Sequence, residues 1–364
     1  MITLTTNIIY TPEFQVVSMR KHEDIVIVGG GPAGAYCALE LSKHGIFPLI
    51  INYPHHRGKP CGGGISPIVI RKFPFLEKFR SNGSTFSIFK IISCTDIKVD
   101  SKGLENGFWI SRKYLDREIL NMAIKNGAKT IEERVLDVRK KGKLWNIKTS
   151  KGFYSGRILV GADGVNSIVR NKTIGSISRE NLAITFGFIA GCLEEESAVI
   201  KFLSEIPGYI WVFPGKRYSN IGIGSELNYG SRLKEILYDF VARYYPRKLI
   251  TEDTPKYAWM LPSARNPDFF KSACAGDDWL LVGDAAGHVD PVSGGGILYA
   301  LWGGKLAAEA IDRNDPRSYD KEWRIAFGKN LEERCKNKSE FYDPLKSIAT
   351  ILKGLIAKEY SFPS

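Results

Sequence analysis

Apolar and polar positions fall into blocks along this chain, and the period of the blocks changes at recognisable places. Ile25-Val26-Ile27-Val28 is a continuous β-branched run, the pattern of a strand buried on both faces. Residues 35–43 then take helical spacing, Gly45 stops the helix, and Pro48-Leu49-Ile50-Ile51 opens a second strand. Short β-like runs at 86–89, 96–99 and 108–110 lead to a helix over 111–127, with Ser111 as its N-cap. Strands follow at 128–138, 145–149 and 157–161. Residues 184–223 are β-rich and aromatic, and a helix at 233–244 and a strand at 255–262 come next. In Tyr209-Ile210-Trp211-Val212-Phe213 the alternation sends the three rings to one face and the two aliphatics to the other. That aromatic face is read either as core or as the wall of an apolar substrate cavity.

Two of these strands, and a further one at 278–282, end in glycine-bearing corners. The first carries G-x-G-x-x-G at Gly29, Gly31 and Gly34 between strand and helix. Gly29 serves the tight turn, Gly31 lets the backbone approach a pyrophosphate, and Gly34 allows close packing. The helix N-terminus offers unpaired N–H groups and a positive dipole end to phosphates. The second strand ends in Asn52 where the fingerprint has an acid for the ribose hydroxyls; an amide still hydrogen-bonds a ribose. The second corner, Gly161-Ala162-Asp163-Gly164, lies at a strand's carboxyl end, with Ser167 placed to cap and Arg170 to tie down the next segment. The third is Gly283-Asp284, followed by Gly294-Gly295-Gly296-Ile297 at a helix start. It sets Asp284 beside a polyol chain and the later amides against an electron-rich group. Between them, Cys61-Gly62-Gly63-Gly64 reads as backbone lying flat against something, with Arg57 and Lys59 beside it.

Composition narrows the class. The 364 residues have a hydrophobic fraction of 44%, room for an ample core, and mean hydropathy is −0.14. No apolar stretch approaches the ~20 residues of a membrane span. The net charge of +12 fits a lysine-rich proteome or attraction to an anionic surface such as lipid headgroups; scattered basic residues without a recognition module speak against nucleic acid. Six dispersed cysteines without C-x-x-C argue against a zinc site or disulfide framework and for reduced thiols in the cytoplasm. His55 and His56 lack a third ligand and read as loop residues, so no metal is expected. Residues 1–18 read as a poorly packed extension. The tail carries Leu345, Ile348, Leu352, Leu355 and Ile356 at helical spacing, which caps a core or lies on the inner face of a membrane.

The order of the three corners resembles the flavoproteins of the para-hydroxybenzoate-hydroxylase type over roughly residues 22–312. Three details resemble the geranylgeranyl reductase family. They are Lys59-Pro60-Cys61-Gly62-Gly63-Gly64, the stretch from Tyr209 to Pro214 leading to Gly222-Ile223-Gly224, and Gly283-Asp284-Ala285-Ala286-Gly287 followed by Gly294-Gly295-Gly296-Ile297. The resemblance implies an α/β fold. A Rossmann-like FAD-binding domain (22–83, 108–178 and 270–315) carries an inserted antiparallel β-sheet substrate domain (84–107 and 179–269). An extension (1–21), expected to be unstructured, precedes it and a C-terminal helical segment (316–364) follows. It further implies that Ala33, Gly34 and Asn52 hold the adenosine diphosphate part of FAD. Cys61, Gly62, Arg112, the Val135 backbone, Asp284, Gly296 and Ile297 would also touch FAD. With Gly29, Gly31, Gly63, Asp163, Gly164 and Gly295 from the corners, these make the expected cofactor site.

The implied substrate carries isoprenoid chains, as an archaeal lipid precursor or a prenylated pigment does, with Tyr209, Trp211 and Phe213 lining its site. Reducing an isolated double bond needs a hydride from reduced flavin and a proton delivered in a dry pocket. Cys61 is the first candidate donor, then Tyr209 or ordered water. A single G-x-G-x-x-G leaves electrons to come from transiently bound NAD(P)H, a ferredoxin or another carrier. Two alternatives stay open: a flavin monooxygenase or halogenase acting on an aromatic, and a flavin-binding protein without turnover.

Overall fold

The computed structural model describes residues 21–53, 59–86, 88–101, 107–193, 195, 197–215 and 217–360. The expected N-terminal extension and the His55-His56-Arg57 loop residues lie outside them. The strands among the described residues form three sheets. The first runs in the order Lys129–Glu132, Leu49–Asn52, Lys21–Val28, Phe153–Gly161, Leu144–Thr149, Val135–Lys141. Its first four strands are parallel, and Trp279–Leu281 adds in parallel to the C-terminal half of Phe153–Gly161. The apolar runs read from the sequence are the centre of this sheet: Val26, Ile27, Leu159 and Val160 are all fully buried.

Helices Pro32–Lys43 and Ile297–Asp312 pack on one another beside this sheet. Their separation is set at Gly304, where a Cβ would stand 2.5 Å from the Ala33 carbonyl oxygen. Only hydrogen fits, so the two helices meet backbone to backbone. This contact fixes how the first and third corners face each other.

The second sheet runs Lys256–Pro262, Leu182–Ala190, Ser219–Glu226, Gly208–Phe213, Ser197–Phe202, Ile88–Ile92, Lys98–Ser101. Its neighbours are antiparallel except Ser197–Phe202 with Ile88–Ile92, which are parallel. A hairpin cannot make that pair; Ile88–Ile92 enters from far earlier in the chain, and only a long crossover can. The alternation in 209–213 is realised. Ile210 and Val212 join Phe188, Ile221 and Ile223 under helix Leu233–Tyr244, while Trp211 and Phe213 face Phe86 and Trp109.

A three-stranded sheet of Gly64–Ile65, Gly107–Trp109 and Ser84–Phe86 lies between the two large ones. Its Ile65 and Phe108 enter the first core and its Phe86 and Trp109 the aromatic cluster, so it joins them. Strands from both sides of residue 84 share this small sheet. Ser111 stands at the N-cap position expected from the sequence, but its side chain makes no capping hydrogen bond. Its carbonyl accepts the Tyr114 and Leu115 amides, and the first turn of Arg112–Lys125 is held by Arg112 gripping Asp116. In the tail helix Ser347–Tyr360, Ile351 is buried with Phe202, Val292 and Phe341 and Leu352 is exposed, while Leu345, expected in the same helical stripe, is exposed in the turn that precedes the helix. The side chains of Leu355 and Ile356 are outside the description. Among the described residues no helix is long and apolar enough to cross a membrane.

Candidate active site

The first corner is closed by backbone and open only where a ligand would lie. Gly29 has φ +106°, and a Cβ there would stand 2.3 Å from the Ala162 oxygen. A Cβ on Gly34 would be 2.1 Å from the Gly29 oxygen, yet one on Gly31 would meet nothing within 4 Å. Helix Pro32–Lys43 starts at Gly31 with no side-chain cap and no acidic residue in its first turn. Its orphan amides therefore face that open space, the arrangement a pyrophosphate needs. Asn52 turns its Oδ1 back to accept the Gly30 amide at 3.1 Å, which leaves Nδ2 as the donor for a ribose oxygen. Ala33 is buried with its Cβ against Gly283, so it can offer only its amide. Beside the Asn52 strand end, the Glu133 amide donates to the Asn52 carbonyl at 3.0 Å, two residues before Val135.

The second corner is built inward. The Asp163 carboxylate accepts from Ser167 Oγ (2.5 Å) and from the Ile168 and Val169 amides (2.7 and 3.3 Å), while Ser167 Oγ accepts from the Arg170 amide (2.8 Å). Burial raises the Asp163 pKa, an effect that these donors and its own amide only partly offset. Arg170 then reaches across to the Ala285 carbonyl at 3.1 Å. Gly164, at φ +80°, turns the chain with open space before it. Asp163 thus holds the start of its own helix, and Ala162 and Arg170 brace the corners on either side.

At the third corner Asp284 forms an ion pair with Lys59, Oδ2 to Nζ 2.5 Å, while its Oδ1 lies toward Gly296. Lys59 was not among the expected site residues; its adjacency to the Cys61 loop was the available signal. Asp290 orders the turn ahead of Gly294-Gly295-Gly296: it accepts the Val292 and Ser293 amides and is gripped by Arg334 (2.8 and 3.3 Å). Helix Ile297–Asp312 starts at Gly296, again with no side-chain cap. Arg112, nearly buried, holds Asp116 through two bonds of 2.7 and 2.8 Å. Burial opposes its charge, but Asp116, with Cys61 and Asp284 nearby, raises its pKa above the usual value. Its guanidinium therefore stays a cation between the Cys61 loop and the third corner.

The Cys61 loop lies on the aromatic strand. A Cβ on Gly62 would be 2.7 Å from Phe213 and 3.2 Å from the Trp211 indole nitrogen; one on Gly63, at φ +73°, would be 2.3 Å from the Ile110 oxygen. Three glycines here are a fit between surfaces rather than a flexible turn. Trp211 and Phe213 are buried beneath the loop, with Phe213 stacked on Phe86 at 6.1 Å, and Tyr209 is partly buried. The Tyr209 hydroxyl donates to the Ser293 carbonyl, and burial pushes its pKa well up, so its proton is held. Asn220, which the sequence reading passed over, bonds to Trp211, Tyr257 and the Cys61 carbonyl. Its signal was a lone amide in the apolar and glycine strand Ser219–Glu226, where it is buried.

The residues of the first and third corners fit FAD. An uncapped helix start with an open glycine suits the pyrophosphate, an amide the ribose, and Asp284 and the Gly296 helix start the polyol and ring. No cluster that could hold a metal ion exists among the described residues. A cavity of about 260 Å³ lined by Tyr36, Phe73, Phe75, Lys43, Lys72 and Lys305 lies along the later turns of the first helix, away from this site.

No family model matches the chain. It is 30% identical to a digeranylgeranylglycerophospholipid reductase of Methanoculleus marisnigri, over 94% of this chain and 93% of that one. It is 29% identical to digeranylgeranylglycerophospholipid reductase 1 of Methanococcoides burtonii, over 94% and 90%. Among solved structures, a geranylgeranyl bacteriochlorophyll reductase-like protein from Thermoplasma acidophilum superposes with a TM-score of 0.76 at 23% identity, covering 89% and 88% of the two chains.

Proposed function

This chain belongs to the geranylgeranyl reductase family of FAD-dependent oxidoreductases, and from that premise we propose that it saturates the isoprenoid double bonds of archaeal-type membrane lipid precursors. The observation that carries the reading is the Cys61 loop, laid on Trp211 and Phe213 at Gly62, with the Cys61 carbonyl bonded to Asn220 and the Cys61 sulfur 3.4 Å from the Gly63 amide. The first corner holds the adenosine diphosphate part through the open amides at Gly31 and through Asn52. Asp284 takes the polyol, and the Gly295, Gly296 and Ile297 amides take the ring carbonyl end. Bound there and reduced by a separate carrier, the flavin would supply the hydride.

This chain's residues do the rest. Cys61 delivers the proton to the other alkene carbon, because Tyr209 already donates to Ser293 and burial makes it a weaker acid. The cluster of Phe86, Trp109, Trp211 and Phe213 keeps water from beneath the loop. Tyr209, the partly buried ring of the three expected to line the substrate, is the one an isoprenoid chain would touch. A separate reducing partner, a nicotinamide, ferredoxin or similar carrier, supplies electrons.

The test is anaerobic incubation of the chemically reduced, FAD-loaded protein with a digeranylgeranylglycerol phospholipid, followed by mass spectrometry for one added hydrogen pair per double bond. Cys61→Ala should keep its flavin and lose about 10²–10⁴-fold in kcat, the usual worth of a positioned acid. Undiminished alkene reduction by that variant would remove Cys61 from the mechanism. Oxygen uptake with a hydroxylated aromatic product would favour a monooxygenase instead.

A further inference from the structure

We propose that Asn220 is the positioning residue for the Cys61 thiol, an inference that rests on the proton-donor reading above. Asn220 is 3% exposed, and all three of its polar contacts converge at this one place. Its Oδ1 accepts the Trp211 indole N–H at 2.8 Å and the Tyr257 hydroxyl at 2.7 Å. Its Nδ2 donates to the Cys61 carbonyl at 3.0 Å. An indole nitrogen only donates, so the amide oxygen must face Trp211 and the nitrogen must face Cys61. The orientation is fixed without ambiguity.

Sheet register explains why an amide stands there. Trp211 lies opposite Gly222, where a Cβ would be 2.2 Å from Trp211 Cζ2, so the indole lies flat over that glycine. Two residues earlier on the same face, Asn220 meets the indole nitrogen diagonally across the pair. Gly62 rests on the outer edge of the same indole and of Phe213. The Asn220–Cys61 bond thus pins the loop to the wall at its carbonyl. The Gly63 amide lies 3.4 Å from Cys61 Sγ, so fixing the carbonyl fixes the sulfur. A leucine at 220 would fill the space, and an alanine would leave it empty, but neither could join both sides.

Site-resolved alkylation with iodoacetamide tests this in a Cys192→Ser background, which removes the exposed thiol and leaves Cys37, Cys94, Cys274 and Cys335 buried. Asn220→Ala should alkylate at Cys61 about tenfold faster than the parent, as expected for one lost buried hydrogen bond, while Cys274 and Cys335 stay unreactive. It should also lose about tenfold or more in kcat with KM changed less than about threefold, because alignment and not binding is lost. Asn220→Asp separates the clasp from the wall. Its carboxylate still accepts from Trp211 and Tyr257 but cannot donate to Cys61. At pH 8 it should behave like Asn220→Ala, and on acidification its alkylation rate relative to the parent should fall back toward one, since a protonated carboxyl donates again. The Asn220→Ala ratio should stay flat. Parental alkylation and kcat in both variants, with Cys61→Ala inactive, would overturn this inference and leave the proton-donor reading standing. Simultaneous exposure of Cys274 and Cys335 would also overturn it, by showing that Asn220 holds the fold rather than the loop. An active Cys61→Ala would instead remove the proton-donor reading, and the alkylation ratios alone would then decide whether Asn220 holds the loop.

Discussion

At residues 29–34 the backbone leaves a helix start uncapped and facing open space, whereas at residues 161–164 a carboxylate closes the same kind of corner from within. Both corners follow a buried parallel strand, and both put a glycine at positive φ. What separates them is where the helix amides go. In the first they have no side-chain partner; in the second Asp163 and Ser167 take them. One corner is shaped to receive an anion, and the other braces its neighbours, through the Ala162 carbonyl under Gly29 and through Arg170 at the Ala285 carbonyl. The lesson is that a strand-glycine-helix corner binds only if nothing in the chain already answers its amides.

The sharpest way to break this contrast is to fill the first corner. Gly34→Ala would set a Cβ 2.1 Å from the Gly29 oxygen, a backbone atom that cannot step aside. We expect a loss of about 3 kcal/mol or more and no retained FAD, read by denaturant unfolding and by flavin absorbance of the purified protein. Gly164→Ala is the control in the second corner. Nothing lies within 4 Å of its added methyl, so only the φ of +80° is penalised, at about 1 kcal/mol, with FAD retained. Equal losses in the two variants would show that the corners do not differ as described.

The second corner makes the converse prediction. Asp163→Ala removes the cap of helix Ile168–Thr173 and frees Ser167, so unfolding should become easier by about 2 kcal/mol. Because Asp163 touches its own helix and not the ligand space, FAD affinity of the folded protein should move less than about threefold, by titration well below its Tm. A collapse of affinity without a loss of stability would place Asp163 in the cofactor site after all.

These contrasts also show why the sequence was legible in some places and not in others. The glycines at 29, 31 and 34 act on atoms a few residues away, and local spacing reports local geometry. The ring-and-aliphatic alternation at 209–213 likewise reads straight through to two different cores. Asp163, by contrast, follows a strand and a glycine much as Asp284 does, and only the hydrogen bonds distinguish an acid that caps its own helix from one that pairs with Lys59. Lys59 and Asn220 carried only a weak local signal, and Gly304 none, for a related reason. Each derives its role from a partner 159 to more than 200 residues away, set by helix packing or cross-sheet register that no local pattern encodes. Gly304 reads as an ordinary helical glycine until the Ala33 carbonyl is found beside it.

The smallest effect probes the one place where the first corner departs from its fingerprint. Asn52→Asp keeps the acceptor for the Gly30 amide, since a carboxylate oxygen stands where Oδ1 stood. It exchanges the Nδ2 donor for a second, charged acceptor, and ribose hydroxyls are donors able to use it. Charge-assisted bonds are roughly twice as strong as neutral ones, which sets the expected gain at about 1 kcal/mol, or several-fold tighter FAD, by titration monitored through flavin fluorescence. The gain should be confined to affinity, because residue 52 is half-buried at a strand end and its acceptor bond to the loop is preserved. Weaker binding in this variant would mean that Asn52 uses its Nδ2 hydrogen on the ribose. The amide would then be an adapted contact, and not a shortfall that a carboxylate repairs.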